Sequence, residues 1–167
     1  MSSLPYLNGY SPNLIDQIER LIDNNKLAQY LFSRYPQNHE FKNDKQLRDY
    51  VMAIKNQFLK KSAPINKIQY DNKLHVVKNA LGTHTYVSRI HGSKLKSKNE
   101  IRISSIFKLA PEPFLNMITV HELAHVKELE HNKAFYKLCT HMLPNYHQLE
   151  FDTRVYLTYL ETQKGEN

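Results

Sequence analysis

Apolar residues Leu14, Ile15, Ile18, Leu21 and Ile22 recur at the three- and four-residue spacing that lines one face of an α-helix. Ser11 followed by Pro12 supplies a cap and a first-turn proline, so one or two helices are predicted to run to about Arg34, where Pro36 stops them. A second stripe, Leu47, Tyr50, Val51, Ile54, Phe58 and Leu59, begins after Asn43 or Asp44 as cap and is closed by Pro64. The large apolar residues of both stripes are read as core and are assigned no chemistry.

The period then changes from about 3.6 to 2. Ile68 and Tyr70, Asp71-Asn72 as turn residues, and Leu74 and Val76 read as a hairpin, with Gly82 ending the returning segment. Thr83 to Ile90 is rich in β-branched and aromatic residues, His91-Gly92 is a turn signal, and Ile101 and Ile103 alternate with Arg102 and Ser104. Three to five strands, antiparallel, are predicted. From Ala110 the helical pattern returns: Pro111, Glu112 and Pro113 mark a start, and Phe114, Leu115, Met117, Ile118, Val120, Leu123 and Ala124 make the helix apolar almost all round, hence buried.

Composition narrows the class without naming a function. With 167 residues, 41% of them apolar, the chain has the make-up of one ordinary globular domain able to bury a core without staples. The lone Cys139 forbids an intrachain disulfide and is read as a small apolar residue packed in its helix. No stretch has the roughly 18 apolar residues of a membrane span, and Met1 to Tyr10 lacks the basic start and apolar middle of a signal peptide, so a cytoplasmic protein with no membrane partner is expected. The formal net charge is +7, and much of the surplus lies between Arg89 and Lys108, where six basic residues face one acid, Glu100. Such a run suits a polyanion, and lysines on a sheet edge equally well guard against edge-to-edge aggregation.

The chemistry concentrates in the buried helix. His121-Glu122-Leu123-Ala124-His125 is an HExxH motif. Residues four apart on a helix lie about 40° apart around the axis and roughly 6 Å along it, so the two imidazoles can converge on one metal ion. Glu122, about 100° round from His121, is placed to act as general base on a water at the metal. A catalytic zinc usually takes a third protein ligand. His131 fills that role only if the helix ends near Glu128 to Glu130 and turns back, because an unbroken helix would carry it roughly 15 Å from His121 along the axis. Asn132 is a good cap for a following helix with the stripe Phe135, Leu138, Cys139 and Met142. Glu150, with Asp152 close by, is the alternative third ligand. His39, His75, His84, His91, His141 and His147 are read as surface or core residues. One zinc per chain is expected, although manganese, cobalt or nickel suit the same three imidazoles.

The run from Val87 to Ser104, His121 to His125, His131 to Tyr136, Tyr70 to Lys73 and Tyr146 to Asp152 resembles the YgjP-like metallopeptidase family, related to the SprT-like and WLM zinc proteases. The resemblance implies an α+β, zincin-like, minigluzincin-type fold: a small antiparallel sheet packed on the HExxH helix, with supporting N- and C-terminal helices. The chain then divides into an N-terminal helical part, 1–64, and a catalytic core, 65–167, within one compact domain. It also implies zinc held at His121, His125 and His131, with Glu122 catalytic. The substrate implied is a peptide, or a nucleoside triphosphate, since close relatives are also described as UTP pyrophosphatases. Arg89, Lys94, Lys96 and Arg102 are the residues expected to meet it, because they could neutralise a triphosphate beside the metal. SprT-like relatives meet DNA-bound proteins, which leaves a nucleic-acid partner as a further reading.

Overall fold

The computed structural model describes residues 4–73 and 100–165. A 3-10 turn (Pro5–Leu7) leads into α1 (Pro12–Asp23), α2 (Leu27–Arg34), α3 (Asp44–Phe58), β1 (Lys67–Asp71), β2 (Glu100–Ser104), α4 (Glu112–Lys127), α5 (Lys133–Met142) and α6 (Tyr146–Gly165). This is a helix-rich α+β arrangement. No helix among the described residues is long and apolar enough to cross a membrane.

The helix ends follow from local chemistry. Ser11 Oγ accepts the Leu14 N–H at 3.3 Å and starts α1. Asn25, at φ 54°, takes the left-handed conformation that asparagine tolerates, so the first stripe breaks into α1 and α2. Asn43 Oδ1 accepts from Gln46 N at 2.8 Å and caps α3. That helix stops at Phe58, well before Pro64, with the buried Lys55 ammonium donating to the Leu59 carbonyl at 3.5 Å.

The sheet corrects the predicted strand direction. β1 pairs with β2 in parallel, Lys67 opposite Glu100 through Asp71 opposite Ser104. A tight turn can join only antiparallel neighbours, whereas parallel ones need a crossover of a dozen or more residues, and the intervening segment 72–99 is long enough for one. The expected returning strand at Leu74 and Val76, the strand from Thr83 to Ile90 and the turn at His91-Gly92 lie outside the described residues. Ile68 and Tyr70 on β1 and Ile101 and Ile103 on β2 are buried, the alternation the period-2 pattern requires. Asp44 Oδ1, at the start of α3, accepts from Tyr70 N at 2.9 Å and ties helix to sheet.

α4 runs through the centre, against β2, α5 and α6. Every residue from Met117 to His125 is buried, as its all-round apolar pattern predicts. His39 braces the approach to this helix: its Nδ1 accepts from Phe41 N at 3.0 Å, so the ring proton sits on Nε2 and is donated to the Phe107 carbonyl at 2.6 Å. It is a core histidine, as expected.

Candidate metal centre

His121 and His125 lie one turn apart on α4, both buried, with ring centroids 4.8 Å apart. α4 ends at Lys127. Glu128 leaves the helix at φ −129° with its N–H still on the Ala124 carbonyl at 2.9 Å, and Asn132 Oδ1 accepts from Phe135 N at 2.8 Å to start α5. Neither Glu128 nor Asn132 needs a left-handed backbone (Asn132 φ −96°), which is why no glycine marks the reversal. The turn brings His131 back to 5.1 Å from the His121 ring and 4.8 Å from the His125 ring. Phe135, buried in the first turn of α5, touches all three rings, with centroids 4.6 to 5.0 Å away. His131 is the exposed member, so the cluster has two buried rings and one at its rim.

The hydrogen bonds decide where the ring protons are. His125 Nδ1 faces the Glu128 carbonyl at 3.0 Å, and a carbonyl only accepts, so the proton sits on Nδ1 and Nε2 keeps its lone pair. His121 Nδ1 is 2.8 Å from the Tyr146 hydroxyl, which itself donates to Glu150 Oε2 at 3.1 Å. The hydroxyl has one proton and has given it to the carboxylate, so it accepts from His121 Nδ1–H. Burial pushes the Tyr146 hydroxyl far above the ordinary tyrosine range, with Glu150 adding to the effect, so it stays protonated.

One ring nitrogen from each of His121, His125 and His131 lies within 4.8 Å of the others, and His125 Nε2 and His131 Nε2 are 3.0 Å apart. Two nitrogens bound tetrahedrally to zinc at about 2.0–2.1 Å sit about 3.3 Å apart, so the set fits a small divalent cation that favours nitrogen. Partial desolvation by the rings packed on its inner side lowers the His131 pKa from the ordinary histidine value although its outer edge is exposed, which favours the neutral ring such an ion needs.

The remaining predicted residues stand in different relations to this cluster. Glu122 is fully buried beside His121 on α4. Glu150 sits two hydrogen bonds behind His121, through the Tyr146 hydroxyl. Asp152, two residues on and so about 200° round the helix, faces α2. It accepts from the hydroxyls of Tyr30 and Tyr35. Cys139 is buried, and burial pushes its thiol up to about 12. Arg102 lies on β2 with its guanidinium 3.2 Å from Glu100 and 3.5 Å from Asp71. Arg89, Lys94 and Lys96 lie outside the described residues. His141 and His147 are exposed and pack beside Phe58 and Tyr136. The sequence pattern places Phe135 in the apolar stripe of α5 and gives Tyr146 no role of its own. A tyrosine four residues before Glu150 and an aromatic four after His131 carry no signal until the helices are packed.

Residues 14–152 match the model of a family described as YgjP-like, metallopeptidase domain. The chain belongs to the YgjP-like family. This YgjP-like chain is 59% identical over all of its 167 residues to an Escherichia coli K12 protein named UTP pyrophosphatase, and covers 99% of that protein. No solved structure matches it significantly. Metallopeptidase family and pyrophosphatase relative agree on the class: the YgjP-like chain is a hydrolase.

Proposed function

We propose that the chain is a metal-dependent hydrolase, built on a zincin-like scaffold, that splits a nucleoside triphosphate into the monophosphate and pyrophosphate, with UTP as substrate. The metal reading rests on the ring nitrogens of His121, His125 and His131 within 4.8 Å of one another, with the ring protons of His121 and His125 held at Nδ1 by Tyr146 and by the Glu128 carbonyl. The substrate reading rests on the full-length relative named UTP pyrophosphatase. His121 and His125 hold the ion from one turn of α4, and His131 closes the set from the rim. The ion, when bound, supplies the Lewis acidity that makes water a nucleophile near neutral pH. The Glu122 carboxylate takes a proton from the attacking water and passes it on to the products. Basic groups of the run from Arg89 to Arg102 neutralise the phosphates. Arg102 already serves Asp71 and Glu100, so Arg89, Lys94 and Lys96 carry most of this work.

Peptide hydrolysis is the second reading, favoured by the family description. Purified protein, with and without one equivalent of zinc, is to be assayed for pyrophosphate release from UTP and for cleavage of an unfolded peptide. We expect metal-dependent pyrophosphate release that Glu122→Gln lowers at least 100-fold while the bound metal is retained. Peptide cleavage without any nucleotide turnover would transfer the site to the second reading, and neither activity in the metal-loaded protein would overturn both.

A further inference from the structure

The chemistry above does not use Asp152, although its carboxylate is completely buried. A buried carboxylate persists only when hydrogen-bonded on all sides, and Asp152 is. It accepts from Tyr35 Oη, from Tyr30 Oη at 3.4 Å and from Gln148 Nε2 at 3.2 Å to each oxygen, with Arg34 Nη1 at 3.8 Å. Tyr30, Arg34 and Gln148 also line a single cleft of about 480 Å³ between α1, α2 and the start of α6, together with Tyr10, Gln17 and Phe151. That volume suits a small-molecule site.

Asp152 therefore decides what the cleft presents. An ionised carboxylate only accepts, so the Gln148 amide nitrogen must face it, and Gln148 Oε1 is left as a fixed acceptor. Arg34 donates through Nη1 to Tyr30 Oη at 2.7 Å, and its half-exposed guanidinium keeps further N–H donors for a ligand. Tyr10 and Phe151, edge to face at 5.0 Å, give an aromatic wall. An acceptor held among donors beside aromatic rings complements a planar ring whose N–H lies between two carbonyls. Uracil has that edge. Cytosine presents a bare ring nitrogen where uracil presents N–H, and so meets the Gln148 oxygen with a lone pair.

One aromatic side chain, Tyr136, links the rim of the cleft to the histidine cluster. His147, in the cleft lining, packs 5.4 Å from the Tyr136 ring, and that ring lies 6.4 Å from His131. A ribose and the first phosphates can bridge such a gap. We propose that this cleft holds the base of the nucleotide and selects uracil, Gln148 accepting from the ring N–H and Arg34 donating to a neighbouring carbonyl; the inference rests on the nucleotide reading above.

The test compares kcat/KM for UTP and CTP, and the binding of UMP and CMP to metal-free protein by calorimetry, in the wild type, Gln148→Leu and Arg34→Met. The wild type should favour the uracil nucleotide in both assays. Gln148→Leu should shrink that preference at least tenfold, because a site that no longer offers the acceptor no longer rejects the analogue. Arg34→Met leaves Asp152 its other three donors and should weaken UMP binding and raise KM for UTP at least fivefold, with kcat changed less. If Gln148→Leu fails to fold, Arg34→Met decides. Unchanged preference and unchanged UMP affinity in folded variants would overturn the proposal. A wild type that hydrolyses no nucleotide but binds UMP in an Arg34-dependent way would sink the reading of the reaction and uphold the cleft, and no UMP binding would sink the cleft.

Discussion

Replacing Tyr146 by Phe removes one oxygen from the centre of the site and leaves a fully buried ring in place. That oxygen accepts from His121 Nδ1–H and donates to Glu150, at 2.8 and 3.1 Å. A buried N–H left without an acceptor costs about 1–3 kcal/mol. The metal-free protein can escape this cost by moving the His121 ring proton to Nε2, but Nε2 is the nitrogen that must be bare to hold a cation. The penalty therefore appears as lost metal affinity and not as lost stability. Losing a ligand's outer hydrogen-bond partner weakens metal binding about 10–100-fold, which is about 1.4–2.7 kcal/mol and agrees with the first figure. Competition against a chromophoric chelator should show the zinc dissociation constant of Tyr146→Phe raised by that factor. The melting temperature of the metal-free variant should stay within about 3 °C of the wild type. Equal zinc affinity within a factor of two, while the wild type binds, would refute the reasoning. A large fall in metal-free stability with affinity intact would make Tyr146 a packing residue only.

Asn132→Ala deletes the cap that starts α5 and should destabilise the protein by about 1 kcal/mol in urea titrations; because the same cap sets where His131 returns, zinc affinity should fall with it. His39 is buried neutral, with its folded pKa held below the usual histidine value mainly by desolvation. Its contribution to stability is thus complete above about pH 6.5 and is lost as pH falls through the lower folded value. Denaturation midpoints between pH 8 and pH 5 should show that loss, and His39→Gln should flatten it. The Cys139 thiol, pushed up to about 12 and buried, should resist iodoacetamide at pH 8 for as long as the protein stays folded, and react at once in denaturant. Rapid labelling of the native protein would contradict its placement.

Much of the helical architecture could be read along the chain because its causes are local. Ser11, Asn43 and Asn132 each satisfy an N–H three residues ahead, and the all-round apolar run from Phe114 to Ala124 admits only a buried helix. HExxH spacing likewise follows from the pitch of one helix. The direction of the sheet was not local: whether the partner of β1 arrives by a hairpin or a crossover depends on where segment 72–99 travels, and no alternation of side chains encodes that.

What the sequence determined by itself, then, was the pair of imidazoles on α4, the carboxylate between them, and the need for a break before His131, since helical rise and turn are properties of consecutive residues. Tertiary structure alone decided that His131 closes on that pair, that Phe135 supports all three rings, and that Glu150 acts on His121 through Tyr146 while Asp152 faces α2. Those assignments depend on how α4, α5 and α6 are rotated against one another. Packing of whole helices sets that rotation, through side chains far apart in the chain, and no window of neighbouring residues contains it.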